Sequence, residues 1–366
     1  MAEIRVEHLQ KAFGDFTAVR DSSFTVRNGE FFCLLGPSGC GKTTTLRMIA
    51  GLELPTSGRI LLGGEDVTFK RASQRDIAFV FQLFALYPHM NVRANIAYPL
   101  RSQGMAREDA RARVDEAART LRIEQLLDRS VSGLSSGDRQ RVALGRAIVR
   151  EPLAFLLDEP LGALDAEFRD VMCGELRALH DRLKATTVYV THDQLEAMAM
   201  ADTIALMNAG IVEQLGTPQD IYDRPSSLFV ADFIGSPPMS FLPFRGRVAS
   251  GDRTVRVDSV DIALPEVHEG VTDAEMVLGV RPEHIELSDD ALFRAEVVDA
   301  EYMGTTQIVT LNTATGASMK ARIPAHISVR PGQRTGLKFR PGQLSLFDKA
   351  SGRALRTALH DGGAHG

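Results

Sequence analysis

The residues with the clearest chemistry form the run GPSGCGKT at 36–43. This run follows an apolar stretch at 31–35 and precedes a helix-like stretch at 44–52. A glycine-rich turn between a strand and a helix is the context in which G-x-x-x-x-G-K-[ST] predicts a phosphate-binding loop. The glycines let backbone N–H groups approach a phosphate, and the helix N-terminus adds positive potential. The complete match argues against a chance turn with a surface lysine.

Two side chains of this loop are suited to contact a nucleotide and its metal. Lys42 supplies a positive charge for the outer phosphates, and the hydroxyl of Thr43 is a ligand for Mg²⁺. The sequence therefore predicts that the chain binds a nucleoside triphosphate together with Mg²⁺.

Polar residues follow three other apolar stretches that we predict to be strands. Asp158 and Glu159 end one stretch, Gln82 follows a second and His192 follows a third. Ligands of open α/β sheets bind at the carboxyl ends of the strands, so these residues are candidates for one site. Asp158 can hold Mg²⁺ directly or through water, Glu159 can orient a water, and His192 can reach a γ-phosphate.

An aromatic residue near the first turn of the chain could stack on a purine ring. Phe13 and Phe16 flank the turn at 14–15. For either ring, burial in the core is the alternative interpretation.

Composition places the chain among soluble globular proteins. Its 366 residues predict two or three domains, and it is 44% apolar and 24% charged with a net charge of −5. That balance gives no electrostatic reason to expect nucleic acid as a partner. The three scattered cysteines predict a reducing cytoplasm, and we expect neither a signal peptide nor a membrane span.

The pattern along the chain predicts an α/β domain with a helical insertion, followed by an all-β domain. We place the first domain at 1–236, with a helical subdomain at about 88–150. The β domain is placed at 237–360 and a flexible tail at 361–366. The strands predicted in the β domain are 245–248, 255–257, 276–280, 295–298, 307–311, 319–323, 336–339 and 344–347.

Taken together, these motifs resemble those of ABC-transporter ATPases, from near the first residue to about Leu242. The matching segments are the Walker A loop GPSGCGKTT (36–44), the Q-loop residue Gln82, the signature segment LSSGDRQRVALGRA (134–147), Walker B FLLDEP (155–160), the D-loop GALD (162–165) and the switch pair Thr191-His192.

Three further segments resemble a narrower group, the bacterial carbohydrate importers of the maltose and glycerol-3-phosphate type. They are FALYPHMNV (84–92), FIGSPPMSFLP (233–243) and GVRPEH (279–284). That resemblance implies a P-loop NTPase of the ABC type followed by a C-terminal regulatory TOBE domain with an OB-like barrel.

The resemblance also assigns residues to functions. The residues implied in ATP binding are Phe13, Gly36, Pro37, Ser38, Gly39, Cys40, Gly41, Lys42, Thr43 and Thr44. The implied catalytic residues are Lys42, Gln82, Glu159 and His192, the implied metal contacts are Thr43, Gln82 and Asp158, and the D-loop residue is Asp165.

The implied mechanism needs two ATPase subunits, because the signature segment of one completes the ATP site of the other. The signature residues are Ser135, Ser136, Gly137 and Asp138. The other implied partners are two integral membrane permease subunits, gripped by the region around Gln82 and 84–92, and a solute-binding protein. The chain would therefore lie peripherally on the cytoplasmic face of the bacterial inner membrane.

The signature segment departs from the family pattern, and Cys40 lies inside the phosphate-binding loop. The family usually has LSGGQ where this chain has Ser136 and Asp138 within LSSGD. A serine that needed a left-handed backbone would cost ~1–2 kcal/mol. Cys40 lies beside a helix N-terminus, where we expect its thiolate to be favoured.

Three functions are compared with these sequence features. The first is the energy-coupling ATPase of an importer for a sugar, a polyol or a glycerol derivative. The second is an importer ATPase for a polyamine, iron or sulfate. The third, a soluble ABC ATPase of DNA repair or translation, is disfavoured because the chain has a single Walker A loop and only a short helical insertion.

Overall fold

The computed structural model describes residues 2–82, 85–162, 164 and 166–361. The chain divides into two compact units, residues 1–218 and 219–366.

The first unit is an α/β structure. Its described strands are β1 (Ile4–Phe13), β2 (Phe16–Val26), β3 (Phe31–Leu35), β4 (Ser57–Leu62), β5 (Glu65–Asp66), β6 (Ile77–Val80), β7 (Ala154–Asp158), β8 (Thr187–Thr191), β9 (Thr203–Asn208) and β10 (Ile211–Gly216). Its described helices are α1 (Lys42–Ala50), α2 (Val92–Ser102), α3 (Arg107–Leu121), α4 (Ser136–Ile148), α5 (Ala166–Leu183) and α6 (Gln194–Met200).

One sheet carries the predicted site residues. Its order is β5-β4-β1-β2-β10-β9-β3-β8-β7-β6. Strand β3 runs parallel to β8 and β9, and β7 runs parallel to β6 and β8. Every residue of β3, β7 and β8 is buried, as continuous apolar stretches predict for parallel strands covered on both faces. The carboxyl ends of these strands therefore lie at the same edge of the sheet.

A buried arginine anchors the helix that follows β3. Arg75 is 1% exposed, and its guanidinium donates to the carbonyls of Met48 at 2.6 Å and Ile49 at 2.8 Å, in the last turn of α1. It also donates to the carbonyls of Thr68 and Lys70. Arg75 thereby donates to carbonyls at the end of α1 that lack i+4 helical partners.

The helical insertion consists of α2, α3 and α4. Its apolar faces are buried against one another, and Gly145 of α4 allows the close approach. A Cβ at Gly145 would lie 3.1 Å from side-chain carbons of both Ile96 and Leu121. The insertion was predicted as helical, although α2 was not identified as a separate helix.

The second unit is mostly β structure. Its described elements are the helices α7 (Pro218–Asp223) and α8 (Leu228–Phe233) and the strands β11 (Ser240–Val248), β12 (Thr254–Val257), β13 (Val260–Ala263), β14 (Val271–Val280), β15 (Ile285–Leu287), β16 (Phe293–Tyr302), β17 (Thr306–Thr313), β18 (Ser318–Pro324), β19 (Arg334–Phe339) and β20 (Ser345–Asp348). The described strands form sheets ordered β11-β14-β20, β12-β13 and β15-β19-β16-β17-β18 around one apolar core. The predicted all-β, barrel-like C-terminal domain is confirmed.

The two short helices α7 and α8 pack with the β strands. Arg281, 1% exposed, donates to the carbonyls of Tyr222 at 2.8 Å and Ala231 at 3.2 Å and also to that of Ile234. The division after Pro218 therefore precedes the boundary predicted after residue 236. The domain boundary after residue 236 and the helical subdomain at about 88–150 stay predictions. Residues 362–366 of the predicted tail lie outside the described residues.

Among the described residues, no helix combines the length and the apolar character that crossing a bilayer requires.

Candidate nucleotide-binding site

The phosphate-binding loop has the backbone that its glycines predict. Gly36, Gly39 and Gly41 have φ values of 153°, 81° and 106°. A Cβ at Gly36 would lie 2.2 Å from the carbonyl of Met207, and one at Gly41 would lie 2.6 Å from the carbonyl of Ala18. Both positions therefore require glycine for conformation and for space.

The loop presents a buried cation at the start of α1. Lys42 is 4% exposed, and its Nζ donates to the carbonyls of Gly36 at 2.8 Å and Pro37 at 2.9 Å. In the part of the chain that the structure describes, no carboxylate forms an ion pair with it. Its Nζ contacts two carbonyl oxygens and, at 3.8 Å, the sulfur of Cys40, an environment that fits an incoming phosphate.

The remaining loop residues surround this cation. Ser38 and Gly39 are exposed at the tip, whereas Thr44 is half-buried in the first turn of α1.

Cys40 corrects one expectation. Its side chain is 3% exposed, and burial raises the pKa of its thiol, with Lys42 opposing that shift. The expected thiolate was wrong, because loss of hydration outweighs the positive potential at the helix N-terminus.

Thr43 and Asp158 lie together at the carboxyl end of β7. Thr43 Oγ1 donates to Asp158 Oδ1 at 3.0 Å, and Asp158 is 7% exposed. Burial raises the pKa of Asp158, although the hydrogen bond from Thr43 opposes the shift. Hydroxyl and carboxylate oxygens are the ligands that Mg²⁺ prefers, and a cation would offset the cost of burying this charge, so the pair fits Mg²⁺.

Glu159 contacts two other residues, His192 and Gln82, that the sequence analysis selected separately from it. Its Oε2 lies 3.2 Å from Nδ1 of His192 and accepts a hydrogen bond of 3.3 Å from Nε2 of Gln82. The backbone of Glu159 has a φ of 42°, a left-handed conformation that is costly for a residue with a side chain and that is common at functional sites. Its N–H donates to the carbonyl of Val190 at 3.0 Å, which ties this turn to β8.

The two aromatic candidates are exposed. Phe13 and Phe16 pair across the β1–β2 turn, with 47% and 64% of their surfaces exposed. The core interpretation is therefore wrong for both. Lys11 Nζ lies 4.7 Å from the centre of the Phe13 ring.

The signature residues begin α4. Ser135 is the N-cap of that helix, and Ser136 and Gly137 form its first turn together with Asp138. Ser136 has no positive φ, so the strain considered for a serine at this position is absent. Among the described contacts, no hydrogen bond of Ser135 or Asp138 reaches the phosphate-binding loop.

Some predicted residues lie outside the described part of the chain. These are the D-loop residue Asp165 and Phe84, the first residue of the predicted permease-contact segment.

An aromatic groove of about 490 Å³ lies between β6, α2 and α4. Tyr87 and Tyr98 pack at 4.5 Å between ring centres, and the Arg146 guanidinium lies 5.5 Å from the Tyr87 ring. Phe81, which precedes Gln82 in the chain, also lines the groove.

Sequence reasoning missed two charged residues near His192. Arg169 on α5 and Glu196 on α6 contact the residues on either side of it. The signal available in the sequence was the spacing of these two residues from His192 and from the D-loop. That spacing does not show their contact, which forms only because α5 packs against α6.

The fold and the site define a P-loop nucleotide-binding protein. Residues 19–162 match the ABC transporter family, 278–347 match the TOBE domain and 244–287 match the CysA C-terminal regulatory domain.

Characterised relatives match over nearly the whole chain. The trehalose import ATP-binding protein SugC of Mycobacterium tuberculosis is 46% identical, covering 97% of this chain and 98% of the relative. The sn-glycerol-3-phosphate import ATP-binding protein UgpC of Cereibacter sphaeroides is 44% identical, covering 97% and 100%. The trehalose/maltose import ATP-binding protein MalK of Thermococcus litoralis is also 44% identical, with the same coverage.

Solved structures resemble about three fifths of the chain. The dimeric ABC transporter cassette MJ0796 has a TM-score of 0.53 at 30% identity, covering 59% of this chain and 98% of that one. CbiO1 of Clostridium perfringens, part of the ABC transporter complex cbiONQ, has a TM-score of 0.56 at 28% identity, covering 60% and 89%. The chain therefore belongs to the ATP-binding proteins of ABC transporters, and the predicted family, fold class and ATPase function are confirmed.

Proposed function

We propose that the chain is the ATP-hydrolysing subunit of an importer for a sugar, a polyol or a glycerol-3-phosphate-like solute. The observation that carries the proposal is the meeting of Gln82, Glu159 and His192 beside the Thr43–Asp158 pair. The import names of the relatives support the solute class. The chain acts at the cytoplasmic face of the inner membrane, beside two permease subunits that receive solute from a binding protein.

The chemistry follows from the positions of the side chains. Lys42 and the N–H groups of the loop hold the phosphates, and Phe13 stacks on the adenine. Thr43 and Asp158 would hold Mg²⁺, with Gln82 as a further ligand, and bound Mg²⁺ would neutralise phosphate charge. Glu159 orients and deprotonates the attacking water, a contribution typically worth ~10²–10⁴-fold in rate. His192 holds the γ-phosphate and the Glu159 carboxylate in the relative positions that hydrolysis requires.

ATP joins two such subunits in this proposal. The N-terminus of α4, with Ser135 as its cap, is an anion-binding end, yet in one subunit its hydrogen bonds stay within the helix. A second copy or a close paralogue supplies that end to the phosphates in trans. The dimeric state of the related cassette MJ0796 supports this arrangement.

The aromatic groove receives a cytoplasmic helix of the permease. Its walls combine exposed aromatic rings with Arg146, a composition typical of anchoring pockets. Phe81 in the groove is the neighbour of Gln82, which lies 3.3 Å from Glu159. Movement of the permease helix is thereby linked to the position of the catalytic carboxylate.

The test is Glu159→Gln in the complex reconstituted with its permease and binding protein. We expect kcat to fall by about 10²–10⁴-fold while Mg-ATP still binds and drives dimerisation. Glu167→Gln, an exposed carboxylate of α5, is the matched control and should keep parental turnover. A Glu159→Gln protein that stays monomeric with saturating Mg-ATP would contradict the proposal.

The solute class is tested separately. Uptake into vesicles is measured for disaccharides, polyols and glycerol-3-phosphate, with sulfate, iron and a polyamine as competing classes. Uptake of only one of the latter classes would overturn the assignment of the solute and leave the ATPase assignment intact.

A further inference from the structure

We propose that Arg169 and Glu196 are positioning residues that hold His192 against Glu159 for hydrolysis. The inference rests on the proposed roles of Glu159 and His192. It adds two residues that contact neither the reacting phosphate nor the water.

Arg169 links the segments that present the two catalytic side chains. Its Nη1 donates to Asp193 Oδ2 at 2.9 Å, and its Nη2 donates to the carbonyl of Leu164 at 3.0 Å. Asp193 directly follows His192, whereas Leu164 lies on the turn that leads from Glu159 to α5. One guanidinium therefore holds both segments.

Glu196 fixes the other neighbour of His192. It is 4% exposed, and its Oε2 accepts hydrogen bonds of 2.7 Å from both Tyr189 and Thr191. Thr191 Oγ1 in turn accepts from the N–H of Asp193 at 2.9 Å. His192 thus lies between two residues whose side chains are both held in place.

The buried carboxylate of Glu196 depends on Arg169. Nε of Arg169 lies 3.5 Å from Glu196 Oε1, an ion pair whose geometry is too poor for a hydrogen bond. No other cation within the described part of the chain forms an ion pair with Glu196. Removing the guanidinium leaves a buried negative charge uncompensated, which favours rearrangement of the segment that carries His192.

Two backbone hydrogen bonds link the described residues between Glu159 and Leu164. The N–H of Gly162 donates to the carbonyl of Glu159 at 3.2 Å, and the N–H of Leu164 donates to that of Leu161 at 3.0 Å. A shift at Leu164 therefore reaches Glu159 through this turn. Arg169 restrains both ends of the 3.2 Å contact between Glu159 and His192.

The chain contains a matched control for general loss of packing. Arg177 lies on the same helix and also ties it to the α6 region, through the carbonyl of Met200 at 2.7 Å and Asp202 at 2.8 Å. Its side chain is 31% exposed, against 27% for Arg169. These contacts lie at and just beyond the C-terminal end of α6, away from His192.

The experiment measures ATPase kinetics and thermal stability of Arg169→Met, Arg169→Lys, Glu196→Gln and Arg177→Met in the reconstituted complex. We expect Arg169→Met to lower kcat by about 10- to 100-fold with little change in KM for Mg-ATP, because misplacing a catalytic group by an ångström costs this much. Arg169→Lys keeps the charge without the planar fork and should restore part of the loss. Arg177→Met should lower Tm as much as Arg169→Met does and keep kcat.

A double-mutant cycle separates positioning from general damage. In a His192→Ala background, Arg169→Met should lower kcat far less than in the parent, because the group it positions is gone. Equal effects in the two backgrounds would overturn the proposal, as would parental kcat in Arg169→Met. If Arg169→Met does not fold, Arg169→Lys and Glu196→Gln give the same comparison.

Failure of this inference is distinguishable from failure of the proposed function. A kcat loss in His192→Ala without one in Arg169→Met or Glu196→Gln would refute only the positioning role. Parental kcat in both Glu159→Gln and His192→Ala would refute the proposed function and this inference with it.

Discussion

The hydroxyl of Ser135 donates a hydrogen bond of 2.8 Å to Oδ2 of Asp138 and accepts one of 3.1 Å from the backbone N–H of the same residue. A serine hydroxyl has a single proton to donate. In this subunit that proton is used within the signature turn, so contact with a phosphate in trans requires Ser135 to leave Asp138. The Arg141 guanidinium lies 3.6 Å from the Asp138 carboxylate and offsets part of its negative potential.

The first prediction is that Asp138→Gln tightens the ATP-driven dimer. A carboxylate ~8 Å from a phosphate charge costs about 2 kcal/mol at an effective dielectric of 20, and Arg141 offsets part of this. In a Glu159→Gln background we expect the dimer dissociation constant in Mg-ATP to fall by about threefold to tenfold, measured by analytical ultracentrifugation.

The control for this experiment is Glu175→Gln. Glu175 forms a 2.9 Å ion pair with the same Arg141 but does not contact Ser135. Equal dimer constants for Asp138→Gln and its parent would show that the hydrogen bond to Ser135 has no influence on assembly.

The second prediction is that all three thiols are protected in the native chain. Cys33, Cys40 and Cys173 are buried, and burial raises the pKa of each thiol, to about 12 for Cys173. The thiolate is the reactive form, so native protein at pH 7.5 should react slowly with a chromogenic disulfide reagent. In guanidinium the same protein should release three equivalents at once.

Mass spectrometry identifies any thiol that reacts early. Rapid labelling of native Cys40, suppressed by ATP, would restore the expectation of a thiolate in the loop. A Cys40→Ser variant serves as the control for the assignment.

The strands and the phosphate-binding loop could be predicted because their signals are local. An apolar stretch buried on both faces, glycines at positive φ and a lysine at the start of a helix all follow from short-range pattern. The eight strands predicted in the β domain all occur, seven with longer bounds and β20 shifted by one residue. The short strands β13 and β15 were missed because pairing with β12 and β19 forms them.

The burial and the contacts of a side chain, by contrast, depend on which elements pack together. Val171 of α5 is 54% exposed, whereas the neighbouring Met172 is buried. The state of Cys40 depends on burial rather than on its place beside a helix end. The contact between Arg169 and Glu196 arises from the packing of α5 against α6, which their spacing along the chain does not reveal.

The third prediction concerns stability against pH. His180 is 6% exposed, and burial, followed by the charge of Arg177, lowers its pKa in the folded state. The unfolded chain therefore binds the proton more readily, and stability present above about pH 6.5 is lost as pH falls towards the folded-state pKa. The slope for this one group approaches about 1.4 kcal/mol per pH unit.

Urea denaturation between pH 5 and 8 tests this by comparing the parent with His180→Gln. The difference in unfolding free energy between the two proteins should shrink as pH falls below about 6.5. Asp158 and Glu196, whose pKa values burial raises, act in the opposite direction and cancel in this difference. A difference that is constant over the whole range would contradict a neutral buried histidine.

The fourth prediction is that Arg75→Met destabilises the first unit and weakens nucleotide binding. Arg75 donates to four carbonyls, and burial lowers its pKa only to about 10, so it is charged at neutral pH. Its loss removes a donor from each of these carbonyls, and a buried acceptor left without any partner costs about 1–3 kcal/mol when water cannot reach it. We expect a loss of about 2–4 kcal/mol in unfolding free energy.

The expected weakening of nucleotide binding in Arg75→Met follows from the helix that Arg75 anchors. Two of its acceptors, Met48 and Ile49, belong to the last turn of α1, the helix whose first residue is Lys42. Loosening α1 should therefore raise the KM for Mg-ATP more than it lowers kcat. Arg71→Met, an exposed arginine of the same turn, is the control and should change unfolding free energy by less than about 0.5 kcal/mol. Unchanged stability in Arg75→Met would mean that water or neighbouring donors replace the guanidinium, and the anchoring of α1 would need another cause.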